Sequence, residues 1–292
     1  MPIPASPAHH PHPNEGTDAV EDVTLEGPHG PLRVRLYRPD APSGHGLVWL
    51  HGGGFLGGDL DMPEADAVGR SFAARGVAVV SVEYRLAPIR TEGTSGEIVQ
   101  PGVHYPVAHE EAVFAFRWAA ASDLASVWAI GGASAGGNLA TGAALHLSDD
   151  GDAPALAVLA YPTLQAIQPA PDAALRALLD ANPEADRFGP EAVLAMYQNY
   201  IEGPIAEADV FAIPGTAAPE RLSEFPPTIM INDETDELRV SGEAFARALS
   251  DAGVDVDVST EPGTTHGHLN RDDDTAAGSI DRFAARIRSL SL

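Results

Sequence analysis

The chain predicts an α/β fold in which a mostly parallel sheet is covered by helices on both faces. Two observations carry that reading. From residue 23 onward, short apolar runs alternate with helix-length stretches, and a strand–helix–strand rhythm lays successive strands parallel because each crossover returns the chain to the same end of the sheet. Most of the runs are continuously apolar rather than alternating, the pattern of strands buried on both faces. A length of 292 residues suits one large domain carrying an insertion.

Residues 1–16 are rich in Pro and His and aperiodic, which predicts a mobile tail. His9, His10 and His12 lack an acidic or Cys partner at ligand spacing, so they read as solvated rather than metal-binding. Residues 23–25 and 32–37 alternate apolar with polar and are split by Gly27-Pro28-His29-Gly30, a hairpin at a sheet edge. Buried strands follow at 47–50, 77–82, 126–130, 156–161, 228–231 and 254–258. Helices are expected near 64–75, 107–121, 135–147, 241–252 and 275–290. Two stretches break the rhythm. Residues 163–215 hold two helical patches, 173–179 and 190–200, and no strand, so they read as an inserted lid or cap. Residues 89–103, rich in Gly, Thr and Ser, read as a long loop of a kind uncommon in compact domains. No internal repeat is evident.

Seventeen basic side chains, all Arg, stand against forty-two acidic ones, for a formal charge of −25. Without Lys there is no Schiff-base or pyridoxal chemistry, no Ser-Lys dyad and no phosphate-binding P-loop. Zero Cys removes disulfides, thiolate nucleophiles and Cys-ligated zinc. An acidic surface repels phosphate backbones and anionic membranes, so neither nucleic acid nor membrane is expected as a partner. No uninterrupted apolar stretch approaches eighteen residues, and the first residues lack the basic start and apolar middle of a secretory signal. A cytoplasmic location is the expectation.

The strongest chemical signal is Gly132-Ala133-Ser134-Ala135-Gly136, directly after an apolar strand and directly before an Ala-rich helix. A serine on a tight strand-to-helix turn is held in strained geometry with its hydroxyl exposed, and small neighbours at Gly132 and Gly136 let strand and helix close on each other. Ser134 is the candidate nucleophile. His51-Gly52-Gly53-Gly54-Phe55 follows another strand, and its glycines leave backbone N–H groups unobstructed for a developing oxyanion. The amides of Gly53, Gly54 and Ala135 would form that hole. His51 itself reads as ordering the loop, with Gly52 as further motif support. A phosphate cradle fits less well, since no Lys follows and the spacing is not that of a dinucleotide fingerprint.

A serine hydroxyl needs an imidazole to take its proton, and the imidazole needs a carboxylate to fix its tautomer. Residues 232–239, Asn-Asp-Glu-Thr-Asp-Glu-Leu-Arg, offer four carboxylates after the penultimate strand, and spacing alone does not choose among them. Gly263-Thr264-Thr265-His266-Gly267-His268 lies before the final helix, where His266 or His268 could serve as base.

His51-Gly-Gly-Gly-Phe55, Tyr84-Arg85-Leu86-Ala87-Pro88, the Ser134 motif continuing into Gly137-Asn138, Asp236-Glu-Leu-Arg239 and His266-Gly267 occur in order. Over roughly residues 22–290 this series resembles the hormone-sensitive-lipase-like esterases of the α/β-hydrolase fold. The resemblance places Asp236 at the acid position and His266 at the base position. It also shows departures. The family usually has Asp just before its nucleophile, where this chain has Ala133. An aromatic commonly follows the His-Gly pair, where His268 stands. Residues 89–104 form an inserted loop relative to the family, and a tail with poor helical character implies a reduced cap made mainly by 163–215 over a catalytic domain of 17–292.

The implied activity is a serine carboxylesterase hydrolysing esters of short to medium acids through an acyl-enzyme, with no cofactor and no metal. Its partner is a small-molecule ester, and a homodimer is compatible with the resemblance. The rate is expected to climb with pH through about 6 to 7 as His266 becomes neutral. An amidase or aryl-formamidase would use the same machinery. The reading from another class is a non-catalytic ligand receptor on this fold, which the intact Ser134, Asp236 and His266 disfavour. An interfacial lipase is disfavoured by the lack of a long exposed apolar segment.

Overall fold

The structure, a computed structural model, describes residues 19–91 and 96–292; the tail expected at 1–16, its histidines included, lies outside them. Strands β1 (Ala19–Gly27) and β2 (Gly30–Arg38) make the expected antiparallel hairpin. Gly30 turns it at φ 98°, a conformation that costs glycine little. There follow β3 (His45–Leu50), α1 (Asp66–Ala73), β4 (Ala78–Val82), the short β5 (Ile89–Arg90) and β6 (Ile98–Gln100), and α2 (Val107–Ala120). Then come β7 (Val127–Ala133), α3 (Ala135–Asp149), β8 (Ala157–Ala160), α4 (Ala173–Ala181), α5 (Pro190–Ile201) and the single-turn α6 (Pro219–Leu222). The chain closes with β9 (Thr228–Thr235), α7 (Arg239–Asp251), β10 (Val256–Thr265) and α8 (Asp274–Arg288).

Eight strands form one sheet in the order β1-β2-β4-β3-β7-β8-β9-β10. Every pairing from β4 to β10 is parallel, and only the β1–β2 and β2–β4 pairings are antiparallel. From β3 the chain moves to one side, to β4, and then returns to β7 on the other side. That reversal opens a crevice beyond the carboxyl ends of β3 and β7, the place where open α/β sheets hold their ligands.

Strand alternation divides the core into two layers. Leu47 and Trp49 of β3 pack with Val68 and Phe72 of α1 and with Ile280, Phe283 and Ile287 of α8. Val48 and Leu50 face the opposite way, into the layer of Ala112 and Phe116 from α2 and Leu139 and Ala143 from α3. The α8 residues recur at helical spacing and give the helix one apolar stripe, and Asp273 caps its start by accepting the Ala276 amide at 2.9 Å. Full burial of each large side chain stabilises the fold by roughly 1.5–3 kcal/mol.

The structure extends the sequence reading at three places. β9 continues through Asn232, Asp233, Glu234 and Thr235, and β10 runs to Thr265, because parallel pairing with Thr260 and Glu261 holds polar residues in the ladder as firmly as apolar ones. Within 89–104, expected as a loop, Ile89 pairs Gln100 and Arg90 pairs Ile98 in a small hairpin; residues 92–95 are outside the described set. Residues 163–215 carry α4 and α5 and no strand. No described helix is long and apolar enough to cross a membrane.

Candidate active site

Ser134 caps α3 at φ 53° and ψ −117°, a positive-φ conformation that costs a non-glycine residue on the order of 1–3 kcal/mol. Its backbone is held on three sides. Its amide donates to Ala160 at 2.9 Å, and its carbonyl accepts from Asn138 at 3.1 Å and Thr163 at 3.2 Å. The flanking glycines are required by close approach. A Cβ at Gly136 would lie 2.1 Å from the Leu50 carbonyl oxygen, and one at Gly132 would lie 2.4 Å from that of Gly136.

His266, after β10, places Nε2 3.0 Å from Ser134 Oγ and Nδ1 2.7 Å from Asp236 Oδ2. A carboxylate only accepts, so Nδ1 carries the proton and Nε2 is free to accept from the hydroxyl. Asp236 is fully buried, and its other oxygen accepts the Leu238 amide at 3.0 Å. Burial of His266 disfavours its charged form, but the charge and hydrogen bond of Asp236, with Asp233 and Glu64 adding to them, outweigh this and raise the imidazole above its ordinary 6.5.

The other three carboxylates of 232–239 are also engaged. Asp233 accepts from the Gly267 amide at 2.9 Å and from His268. Glu234 accepts from the Gly263 amide at 2.9 Å. Glu237 accepts from the Phe188 amide at 2.8 Å, and burial, reinforced by Asp186, pushes its carboxyl up. Phe188 in turn sets its ring edge-on against His266, centroids 4.5 Å apart, so the 163–215 segment reaches the site. Ligand atoms of Asp233, Asp236 and His266 lie within 4.8 Å of one another, yet each carboxylate already holds a hydrogen-bond donor.

On the other side of Ser134, Gly53 and Gly54 have φ 121° and 61°. The amides of Gly53, Gly54 and Ala135 donate to no acceptor among the described residues, as an oxyanion site requires. The Gly52 amide is spoken for, donating to Glu64 Oε2 at 2.6 Å. His51 is buried, keeps Nδ1 2.7 Å from the Gly52 carbonyl and stacks on Tyr84 at 4.5 Å. Burial lowers its pKa, which favours the neutral ring beside the glycine loop.

Glu64 is the residue that sequence reasoning missed. Its buried carboxylate receives the Gly52 amide, the Tyr161 hydroxyl at 2.7 Å and the Asn270 side chain at 2.9 Å. It thereby joins the glycine loop to the end of β8 and to the histidine loop, beside the position where Ala133 supplies no carboxylate. The available signal was one of four acids, with Asp59, Asp61 and Asp66, in the lead-in to an apolar helix face; it reads equally as a helix start.

A family profile described as alpha/beta hydrolase fold matches residues 47–97 and 98–270. The chain is 31% identical to "Esterase LipI" of Mycobacterium tuberculosis over 264 residues, 86% of this chain and 75% of that protein. It is 35% identical to "Ethyl acetate hydrolase" of Pseudomonas putida over 268 residues, 85% of this chain and 75% of that protein. Among solved structures, an esterase of Pyrobaculum calidifontis aligns with a TM-score of 0.77 at 32% identity, covering 94% of this chain and 86% of that one. Fold and site together define a hydrolase of the α/β-hydrolase fold. Within that fold the chain belongs to the hormone-sensitive-lipase-like esterase family.

Proposed function

We propose that this protein is a serine carboxylesterase acting on esters of short to medium acids, with Ser134 as nucleophile, His266 as base and Asp236 as its carboxylate. The observation that carries the reading is the unbroken path from Ser134 Oγ to His266 Nε2 at 3.0 Å and from His266 Nδ1 to Asp236 at 2.7 Å. His266 takes the Ser134 proton as Oγ bonds to the ester carbonyl carbon. The carbonyl π electrons move onto oxygen, where the amides of Gly53, Gly54 and Ala135 stabilise them. Each such donor contributes on the order of 3 kcal/mol. Collapse expels the alkoxide, which leaves with the proton from His266, and water repeats the cycle on the acyl-enzyme. Residues 163–215 act as a reduced cap, with Arg90 and His104 beside it.

Support for ester substrates comes from the relatives' names, one of which specifies ethyl acetate. The test is a panel of aryl esters graded in acyl length, with matched aryl amides, run on wild type and Ser134→Ala and paired with fluorophosphonate labelling. Turnover greatest on short to medium esters, label on Ser134 and loss of about 10⁴-fold or more in the variant are expected. A variant that keeps most of its turnover defeats the assignment. Amide turnover exceeding ester turnover would instead mark an amidase, and a wild type neither labelled nor active would mark a ligand receptor.

A further inference from the structure

We propose that Asp233 and His268 are positioning residues, a second buried carboxylate–imidazole pair that clamps the loop carrying His266; the inference rests on the esterase reading above. Asp233 lies at the end of β9, three residues before Asp236, and both Asp233 and His268 are fully buried. One Asp233 oxygen accepts the Gly267 amide at 2.9 Å and the other accepts His268 Nδ1 at 2.5 Å. The carboxylate thus grips the two residues that directly follow His266. Gly267, at φ 88°, turns the chain so that the two imidazoles part company, His266 toward Ser134 and His268 into the interior. The Tyr161 ring stands edge-on to both, with centroid distances of 5.1 and 5.3 Å.

The far nitrogen of His268 is anchored as well. Nε2 lies 2.9 Å from Ser279 Oγ on α8, the same oxygen lies 3.1 Å from Glu261 Oε2 of β10, and Arg282 pairs with that glutamate. The loop bearing the base is therefore tied through His268 to β9, β10 and α8. The resembling family commonly places an aromatic after the His-Gly pair, which would fill this space without a hydrogen bond; here the space holds a polar pair whose members each need the other. The clamp also acts by charge. An Asp233 oxygen lies within 4.8 Å of a His266 nitrogen and an Asp236 oxygen. The ionisable groups around His266 are thus Asp236 and Asp233 at β9, Glu64 before α1 and Tyr161 after β8. Around His268 they are Asp233, Tyr161, Glu261 and Arg282.

The experiment compares wild type, Asp233→Asn, His268→Phe and the double variant Asp233→Ala/His268→Phe. It records kcat and KM against pH on a soluble aryl ester, together with the NMR titration of the His266 ring nitrogens. Asp233→Asn removes a negative charge beside His266 and is expected to move its titration, and the acid limb of kcat/KM, down by about half a pH unit or more. His268→Phe strands the Asp233 charge and is expected to move both up. Each single variant should lower kcat by about 10- to 100-fold through misplacement of the base, with KM little changed. The double variant, apolar throughout, should recover to within about threefold of wild type. His266 titrations that coincide with wild type in both single variants, or a double variant with kcat no higher than that of the weaker single variant, would overturn the clamp. The NMR titration judges the clamp without turnover, so a wild type lacking Ser134-dependent hydrolysis defeats only the esterase reading.

Discussion

Ser134 was legible as a single residue because it stands on a strand-to-helix turn between glycines, whereas position before the last helix left His266 and His268 open and only the family resemblance chose His266. Asp236 was not separable from its neighbours by spacing. The resemblance chose Asp236, and the structure gives each of the others an amide to hold: Asp233 that of Gly267, Glu234 that of Gly263 and Glu237 that of Phe188. The structure also refines the pH expectation. Asp236 and its neighbours raise His266 above 6.5 despite burial, and the base acts only when neutral, so activity falls as pH drops through the raised value. The acid limb of kcat/KM is therefore expected above that of a free imidazole, and a pH–rate profile on a soluble aryl ester measures it.

Strands and helices announced themselves through apolar runs, which is why the polar ends of β9 and β10 and the two-residue pairings of β5 with β6 escaped notice. Contacts between elements were less legible still. Glu64 binds donors from three separate segments, and Glu64→Ala leaves the Gly52 amide and the Tyr161 hydroxyl without their acceptor and Asn270 with the Gly267 carbonyl alone. Its expected cost is about 3 kcal/mol or more in stability, read by urea denaturation, with a fall in kcat of about tenfold as the glycine loop loosens. A second tie joins α2 to α3, where His109 Nε2 and His146 Nδ1 are 2.9 Å apart and both rings stack with Phe211. Burial, with His146 adding to it, lowers His109 to about 4. The folded form thus prefers the neutral ring, so this contribution is present above pH 6.5 and is lost as pH falls toward 4. His109→Phe should reduce the acid-induced loss of unfolding free energy by up to about 3 kcal/mol between pH 7 and 4, measured by denaturant titration at both.

For the molecule as a whole, the parallel sheet with helices on both faces followed from rhythm alone, since a strand buried on both sides must be apolar throughout. The order of strands did not, because the reversal between β3 and β7 leaves no mark in local pattern. That reversal gathers the glycine loop after β3 and Ser134 after β7 at one crevice, and β9 and β10 deliver Asp236 and His266 to the same rim. The charge of −25 is carried by a chain whose arginines are largely committed to carboxylates, as with Arg35 on Asp22 and Arg117 on Asp150 and Asp152.

The meeting of Gly52, Tyr161 and Asn270 on one carboxylate bears on how the chain gains competence during folding. Residues 64 and 270 are 206 positions apart, and closing so long a loop is slow compared with forming local helices. Stopped-flow refolding should therefore show hydrolysis returning after the far-ultraviolet helical signal, with the lag lengthened in Asn270→Ala. Simultaneous recovery of both signals would mean that the late-closing loop is dispensable for the first turnover.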